Sequence, residues 1–238
     1  MTPAVSRIAW KPSWRIIPSR FPPVQLFERV AEAQDLEAVF ELDGLTNPRL
    51  RDEAGGIQLV PSETRVSGPG ASVIMAAFTH LNPNGSRFSD GTYGVLYATK
   101  HLDTAVAETK HHRERFMRAT SQPRMELDMR VYLIDLQGEF HDLRGQKMAQ
   151  SPIYHTDDCS AGQRLGKTLH QSGSDGIVYD SARRAGGECA AVFRPSVLSN
   201  VRQGKHLCYV WDGRQIVTVY EKRKLSSRTA SALGQAGS

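Results

Sequence analysis

Long apolar runs are missing from this chain. The longest, such as SVIMAAF (72–78) and ECAAVF (188–193), fall far short of the roughly 20 residues a membrane-spanning helix needs. No membrane span is therefore expected. Cysteine is scarce and odd in number: Cys159, Cys189 and Cys208 are widely spaced, without a CxxC pair or nearby paired histidines. That pattern signals neither a disulfide framework nor a zinc site, and the three read as buried or incidental thiols. No zinc-finger spacing, RNP-like aromatic signature or long basic run is present. An unbroken apolar core is also missing from the N-terminal MTPAVSRIAWKPSWRIIPSRFPP, whose prolines and charges fall where a signal peptide needs one. The sequence predicts a cytoplasmic protein.

What is there suits one enzyme-sized domain: 238 residues, of which 39% are hydrophobic, can bury a full core. The formal net charge is +5, and its distribution says more than its sum. Basic residues gather at Arg113, Arg115 and Arg118, at Arg183 and Arg184, and at Lys222, Arg223 and Lys224. A solvated basic face, a site for an anionic small ligand gripped by arginine forks, and a nucleic-acid backbone contact all fit such clusters.

Along the chain, WRIIPSRFPP reads as an extended piece pinned by prolines. PVQLFERVAEAQDLEAVFELDGLT follows with apolar residues at mostly helical spacings, and predicts one or two amphipathic helices within about 24–60. GPGASVIMAAFTH predicts a buried short helix with Ser67 as N-cap, ending at His80. TYGVLYAT (92–99) predicts a strand and HLDTAVAETKHHRERFMRAT (101–120) the helix after it. MELDMRVYLIDL (125–136) alternates apolar and polar residues, with GEFHDL (138–143) as its expected partner strand. GQRLGKTLHQSG (162–173) predicts a helix ending at Gly173. IVY within SDGIVYDSARRAGG predicts a strand running into a basic loop, and HLCYVWDGRQIVTVYE a hairpin about Asp212-Gly213. The small, polar tail from about 225 to 238 is expected to lack a fold. The class predicted is α+β with a mixed or antiparallel sheet.

The chemistry concentrates in GSRFSDGTYGVLYATKHLDTAVAETKHH (85–112). Arg87 precedes the predicted strand, Tyr97 lies near its end and Glu108 is on the following helix, so one strand–helix unit can present all three to a single cleft. A loop arginine can fork onto phosphate, a tyrosine can stack or donate a hydrogen bond, and a glutamate can stabilise a cationic transition state. Plain alternatives stand beside each: a loop charge, a half-buried strand aromatic, and a helix-surface glutamate paired with His111 or His112. Farther on, Ser181, Arg183 and Arg184 follow a strand end in a glycine-containing loop that is either an anion or ribose site or a simple hairpin turn.

These two stretches, SRFSDGTYGVLYATKHLDTAVAET and DGIVYDSARRAGGECAAVF, together resemble the RES domain family, named for its arginine, glutamate and serine. Here those positions match Arg87, Glu108 and Ser181, with Tyr97 matching the family tyrosine. The resemblance spans roughly 14–220. It implies an ADP-ribosyltransferase-like fold, a split mixed β-sheet with flanking helices around an NAD cleft. It also implies a toxin of a bacterial toxin–antitoxin pair that degrades NAD by hydrolysis or by phosphorolysis with inorganic phosphate, with no metal, and that is blocked by a Xre-type helix-turn-helix antitoxin. Carried over, Arg87 binds an NAD phosphate or ribose and Tyr97 lines the nicotinamide side. Glu108 stabilises the oxocarbenium-like state, and Ser181 bonds the nicotinamide ribose or amide. Arg183 joins the NAD-binding set, and Arg20 ranks ahead of Arg15 for a further N-terminal arginine.

The boundaries expected are an extension at 1–13, the RES domain at 14–224 with its helical insertion at about 24–60, and a flexible tail at 225–238. Transfer of ADP-ribose to a protein is the alternative for the same site, although Val106 stands where arginine-directed transferases carry a second glutamate. A non-enzymatic basic module for nucleic acid or protein is the second alternative, and would show salt-steep binding without NAD turnover.

Overall fold

The computed structural model describes residues 3–19, 56–148 and 150–223. Arg20, most of the helical stretch expected at 24–60, and the tail expected at 225–238 lie outside the described residues.

The strands are β1 (Val5–Pro18), β2 (Leu96–Thr99), β3 (Met125–Asp142), β4 (Gly176–Asp180), β5 (Glu188–Val192), β6 (Leu198–Trp211) and β7 (Ile216–Lys222). The helices are α1 (Ala71–Thr79), α2 (Leu102–Ala119) and α3 (Ser160–Gln171). They form one mixed sheet in the order β1-β2-β5-β4-β3-β6-β7, and an extra β1–β3 pairing closes β1, β2, β5, β4 and β3 into a ring. β3–β4 is parallel, at His141↔Ile177 and Asp142↔Val178, and the other pairings are antiparallel. The α+β class and the mixed sheet are as the sequence predicts.

Several elements differ from their sequence-based expectation for local reasons. WRIIP is part of a 14-residue strand, not merely an extended lead-in, and residues 5–13 of the expected extension belong to it. Its Pro12 is accommodated where the β1–β3 register shifts between Trp10 and Ser13, because a proline cannot donate to a regular ladder. MELDMRVYLIDL and GEFHDL are not partners but one continuous strand, β3. Gly138 between them serves close approach rather than a turn, since a Cβ there would lie 2.7 Å from Asp175 Oδ2. α1 is capped by Gly70 at φ 83 with no side-chain cap, so Ser67 is not its N-cap. His80 ends α1 as a helix-terminal residue, its N–H bonded to the Ala76 carbonyl. The strand expected over 92–99 shortens to 96–99, because Gly94 is pressed against α1, where a Cβ would meet Phe78 Cα at 2.3 Å.

Burial falls into three clusters. One joins Ile8, Trp10, Ile134, Leu136, Val178 and Ala190 to α1 residues Ile74, Met75 and Phe78. A second sets Phe88 and Tyr93 of the arginine loop against Leu169, Ile177, Tyr179 and Cys189. The third packs Ala105 and Met117 of α2 on Met129, Val131, Leu207, Tyr209 and Trp211. The second and third hold the two halves of the candidate site.

Candidate functional site

Ser181 leaves β4 as a buried residue, 1% exposed, and its N–H closes the β4–β5 connection on the Gly187 carbonyl at 2.7 Å. Its Oγ donates to Glu108 Oε1 at 2.6 Å across 73 residues of sequence. The same oxygen accepts from the backbone N–H groups of Arg183 and Arg184 at 3.1 and 3.0 Å. A hydroxyl has one donor and two acceptor lone pairs, so Ser181 is fully used in holding Glu108 and the arginine turn. The loop fits because Gly187 has no side chain: a Cβ there would lie 2.8 Å from the Thr104 side chain of α2 and 3.0 Å from Ser181 Cβ. Beneath the carboxylate, the Cys189 thiol sits 3.9 Å from Glu108 Oε1. Burial, and next the Glu108 charge, push its pKa up, so it stays a thiol.

Arg87 and Tyr97 form the other half. The Tyr97 hydroxyl bonds Ser86 Oγ at 2.8 Å and accepts the Phe88 N–H at 3.0 Å, which pins the arginine loop to β2. Burial pushes its pKa up to about 12, so it remains a neutral phenol. Tyr93 adds a second pin, its hydroxyl donating to the Phe88 carbonyl at 2.5 Å. From below, α3 presents glycines one turn apart: a Cβ on Gly162 would lie 2.3 Å from the Arg87 carbonyl oxygen, and one on Gly166 2.1 Å from that of Phe88. The Arg87 guanidinium is aimed by Nη1 donating to the carbonyls of Ile153 and His155 at 2.7 and 3.3 Å. Both Tyr179 and Cys189 feel the Glu108 carboxylate and the Arg87 guanidinium together, which brings the two halves to a common wall.

Arg183 and Arg184, adjacent in sequence, part company. Arg184 makes an exposed ion pair with Asp103 at 3.1 Å, whereas Arg183 is half-buried and acts electrostatically on His111 and His112 of α2.

A family model described as RES domain matches residues 63–212. The chain belongs to the RES domain family. It is also 34% identical over 208 residues to the protein y4oC of Sinorhizobium fredii (strain NBRC 101917 / NGR234), covering 87% of this chain and 86% of that one. A crystal structure of the M. tuberculosis MbcT–MbcA toxin–antitoxin complex superposes with TM-score 0.46 and 12% identity over 83% of this chain and 86% of that chain, a likeness too slight for residue-by-residue correspondence.

Within this RES domain, Glu108 and Ser181 touch, Tyr97 fixes the loop of Arg87, and Arg183 stands beside Glu108's helix. Arg15, ranked behind Arg20 from the sequence, takes a definite place: its Nη1 donates to the Tyr97 carbonyl at 3.0 Å. Its Nε is buried without a partner among the described residues, and burial lowers its pKa to about 10. Sequence reasoning missed the carbonyls of Ile153 and His155, which carry no side-chain signal. It also passed over the Gly162/Gly166 face of α3, although GQRLG held that clue at helical spacing.

Proposed function

We propose that this RES domain, taken as 14–224, cleaves the nicotinamide–ribose N-glycosidic bond of NAD, with water or inorganic phosphate as acceptor. In the same reading it is the toxin of a cytoplasmic toxin–antitoxin pair whose antitoxin is of the Xre type. The observation that carries the reading is the 2.6 Å bond from Ser181 Oγ to Glu108 Oε1, a contact between residues of the two motif stretches that supports a shared site.

The chemistry asks little more. Nicotinamide departs neutral from a cationic ring, so the protein must orient the ribose and stabilise positive charge on it rather than supply a strong acid. A carboxylate with one oxygen anchored by Ser181 keeps the other for the ribosyl cation. Arg87, Arg183 and Arg15 offer guanidinium groups for the diphosphate, and Tyr97 offers an aromatic wall. Ser181, with its hydrogen bonds already committed, acts by holding Glu108 rather than by binding the ribose or amide itself. Transfer to arginine on a protein finds no support from the residue two before Glu108, which is Val106.

The test is nicotinamide release from NAD by the purified chain, with and without phosphate. Release that disappears in Glu108→Ala while the fold persists supports the reading. NAD left intact after prolonged incubation with the antitoxin-free chain rejects it.

A further inference from the structure

Two imidazoles follow Glu108 on α2 and play no part in the contacts described above. His111 and His112 stand three and four residues on, spacings that return a helix to the same face, and their rings meet edge to face with centroids 5.6 Å apart. His111 is half-buried and His112 more open to solvent. Both feel Glu108 from their own helix and Arg183 from the β4–β5 loop; the other charges around them are Arg113, Glu114 and Arg115 of α2. Neither ring has a hydrogen-bond partner among the described residues. His111 and His112 thus follow the Glu108 carboxylate on one face of α2 with their ring nitrogens uncommitted among the described residues, which leaves them able to exchange a proton.

We propose that the His111–His112 pair is the acceptor-side base of this site, taking the proton of a neutral acceptor as its oxygen bonds to the ribosyl carbon. The inference rests on the NAD-cleaving reading above. The acceptor oxygen forms the new C–O bond, the electron pair of the broken C–N bond leaves with neutral nicotinamide, and the acceptor's proton passes to an imidazole nitrogen and on to solvent. Inorganic phosphate brings an oxygen that is already anionic and needs no such transfer. The pair therefore matters for water and is dispensable for phosphate. The surroundings suit a base: burial first, with Arg183 adding to it and Glu108 opposing, holds both histidines below the usual range. Near neutral pH they are uncharged and able to accept a proton.

The experiment measures nicotinamide release from NAD in phosphate-free buffer and with saturating inorganic phosphate, for the wild type, His111→Gln, His112→Gln and the double variant, each checked for an unchanged melting temperature. General-base assistance is commonly worth on the order of 10²-fold, so the double variant is expected to lose about that much of hydrolysis while keeping phosphorolysis. Wild-type hydrolysis is also expected to fall off on the acid side as the pair protonates, and the double variant to lack that limb. Equal losses of both reactions, or no loss of either, overturn the proposal. A wild type that uses phosphate but not water overturns it too. If water is the sole acceptor, the acid limb decides: its disappearance in the double variant supports the pair and its persistence rejects it. A wild type that leaves NAD intact rejects the NAD reading itself, an outcome distinct from active enzyme with indifferent histidines.

Discussion

Replacing Gly166 by alanine is expected to act in the opposite sense from the usual effect of that change. In an uncontacted helix interior, alanine is preferred to glycine by about 1 kcal/mol, which for a protein of this size raises Tm by roughly 2–4 °C. Gly166 sits midway along α3, and a Cβ there would lie 2.1 Å from the Phe88 carbonyl oxygen and 2.8 Å from its carbon. Those are backbone atoms with no rotamer to turn aside, so the arginine loop or the helix must retreat by about 1 Å to reach ordinary contact. Overpacking of this kind costs about 1–3 kcal/mol. With the helix gain set against it, the net loss is about 0–2 kcal/mol, or a Tm lower by up to roughly 8 °C. The shift falls on Phe88, whose N–H is bonded to the Tyr97 hydroxyl, and so carries Arg87 with it. A displacement near 1 Å at a positioning element costs on the order of 10²-fold in rate. Thermal melts and NAD-cleavage kinetics of Gly166→Ala against wild type check both effects. A raised Tm refutes the close α3–loop contact and the positioning of Arg87 derived from it.

Ser181→Ala removes the bond to Glu108 and strands the N–H groups of Arg183 and Arg184; hydrogen bonds to charged groups are worth about 1.5–3 kcal/mol. Because Ser181 holds the carboxylate, kcat should fall with little change in KM for NAD, whereas a rise confined to KM would assign it to substrate binding. Acidification should destabilise the protein: His111, His112 and His170 are held below the ordinary value of 6.5, by burial first. Below that value the unfolded chain binds more protons than the folded one, so stability is present above it and lost as pH falls toward the folded values. Tm should therefore drop between about pH 7.5 and about pH 5.5, and less so in His170→Gln, where the ring stacked on Tyr93 at 4.1 Å is gone; an identical drop in the variant would remove His170 from the account.

How far the sequence could be read depended on whether the signal was local. The α2 pattern, the IVY strand with its arginine turn, and the Asp212-Gly213 hairpin all lie within short windows, and each is found where it was expected. Arg87, Glu108 and Ser181 could be singled out because their residue types sit at motif positions, and of these Glu108 and Ser181 are in contact. Contacts across the chain were not: β3 looked like a hairpin because Gly138 mimics a turn residue, when the glycine there answers to Asp175. Cys189 read as a buried or incidental thiol and is buried, but only the pairing of β4 with β5 brings it to 3.9 Å from Glu108 Oε1. The strand character of WRIIP was hidden by Pro12 and Pro18, since a bulge that absorbs a proline leaves no mark in a one-dimensional pattern. The Arg87 clamp, made of main-chain carbonyls from Ile153 and His155, has no side-chain chemistry to read.

The most direct test of the central claim compares wild type with Glu108→Gln, which keeps shape and hydrogen bonding but removes the charge that the ribosyl cation would meet. Nicotinamide released from NAD is measured for both proteins at matched folding. Release by the wild type and its loss in the variant are expected, with Tm little altered. An untouched NAD pool with wild type, or a Glu108→Gln protein as active as wild type, contradicts that claim.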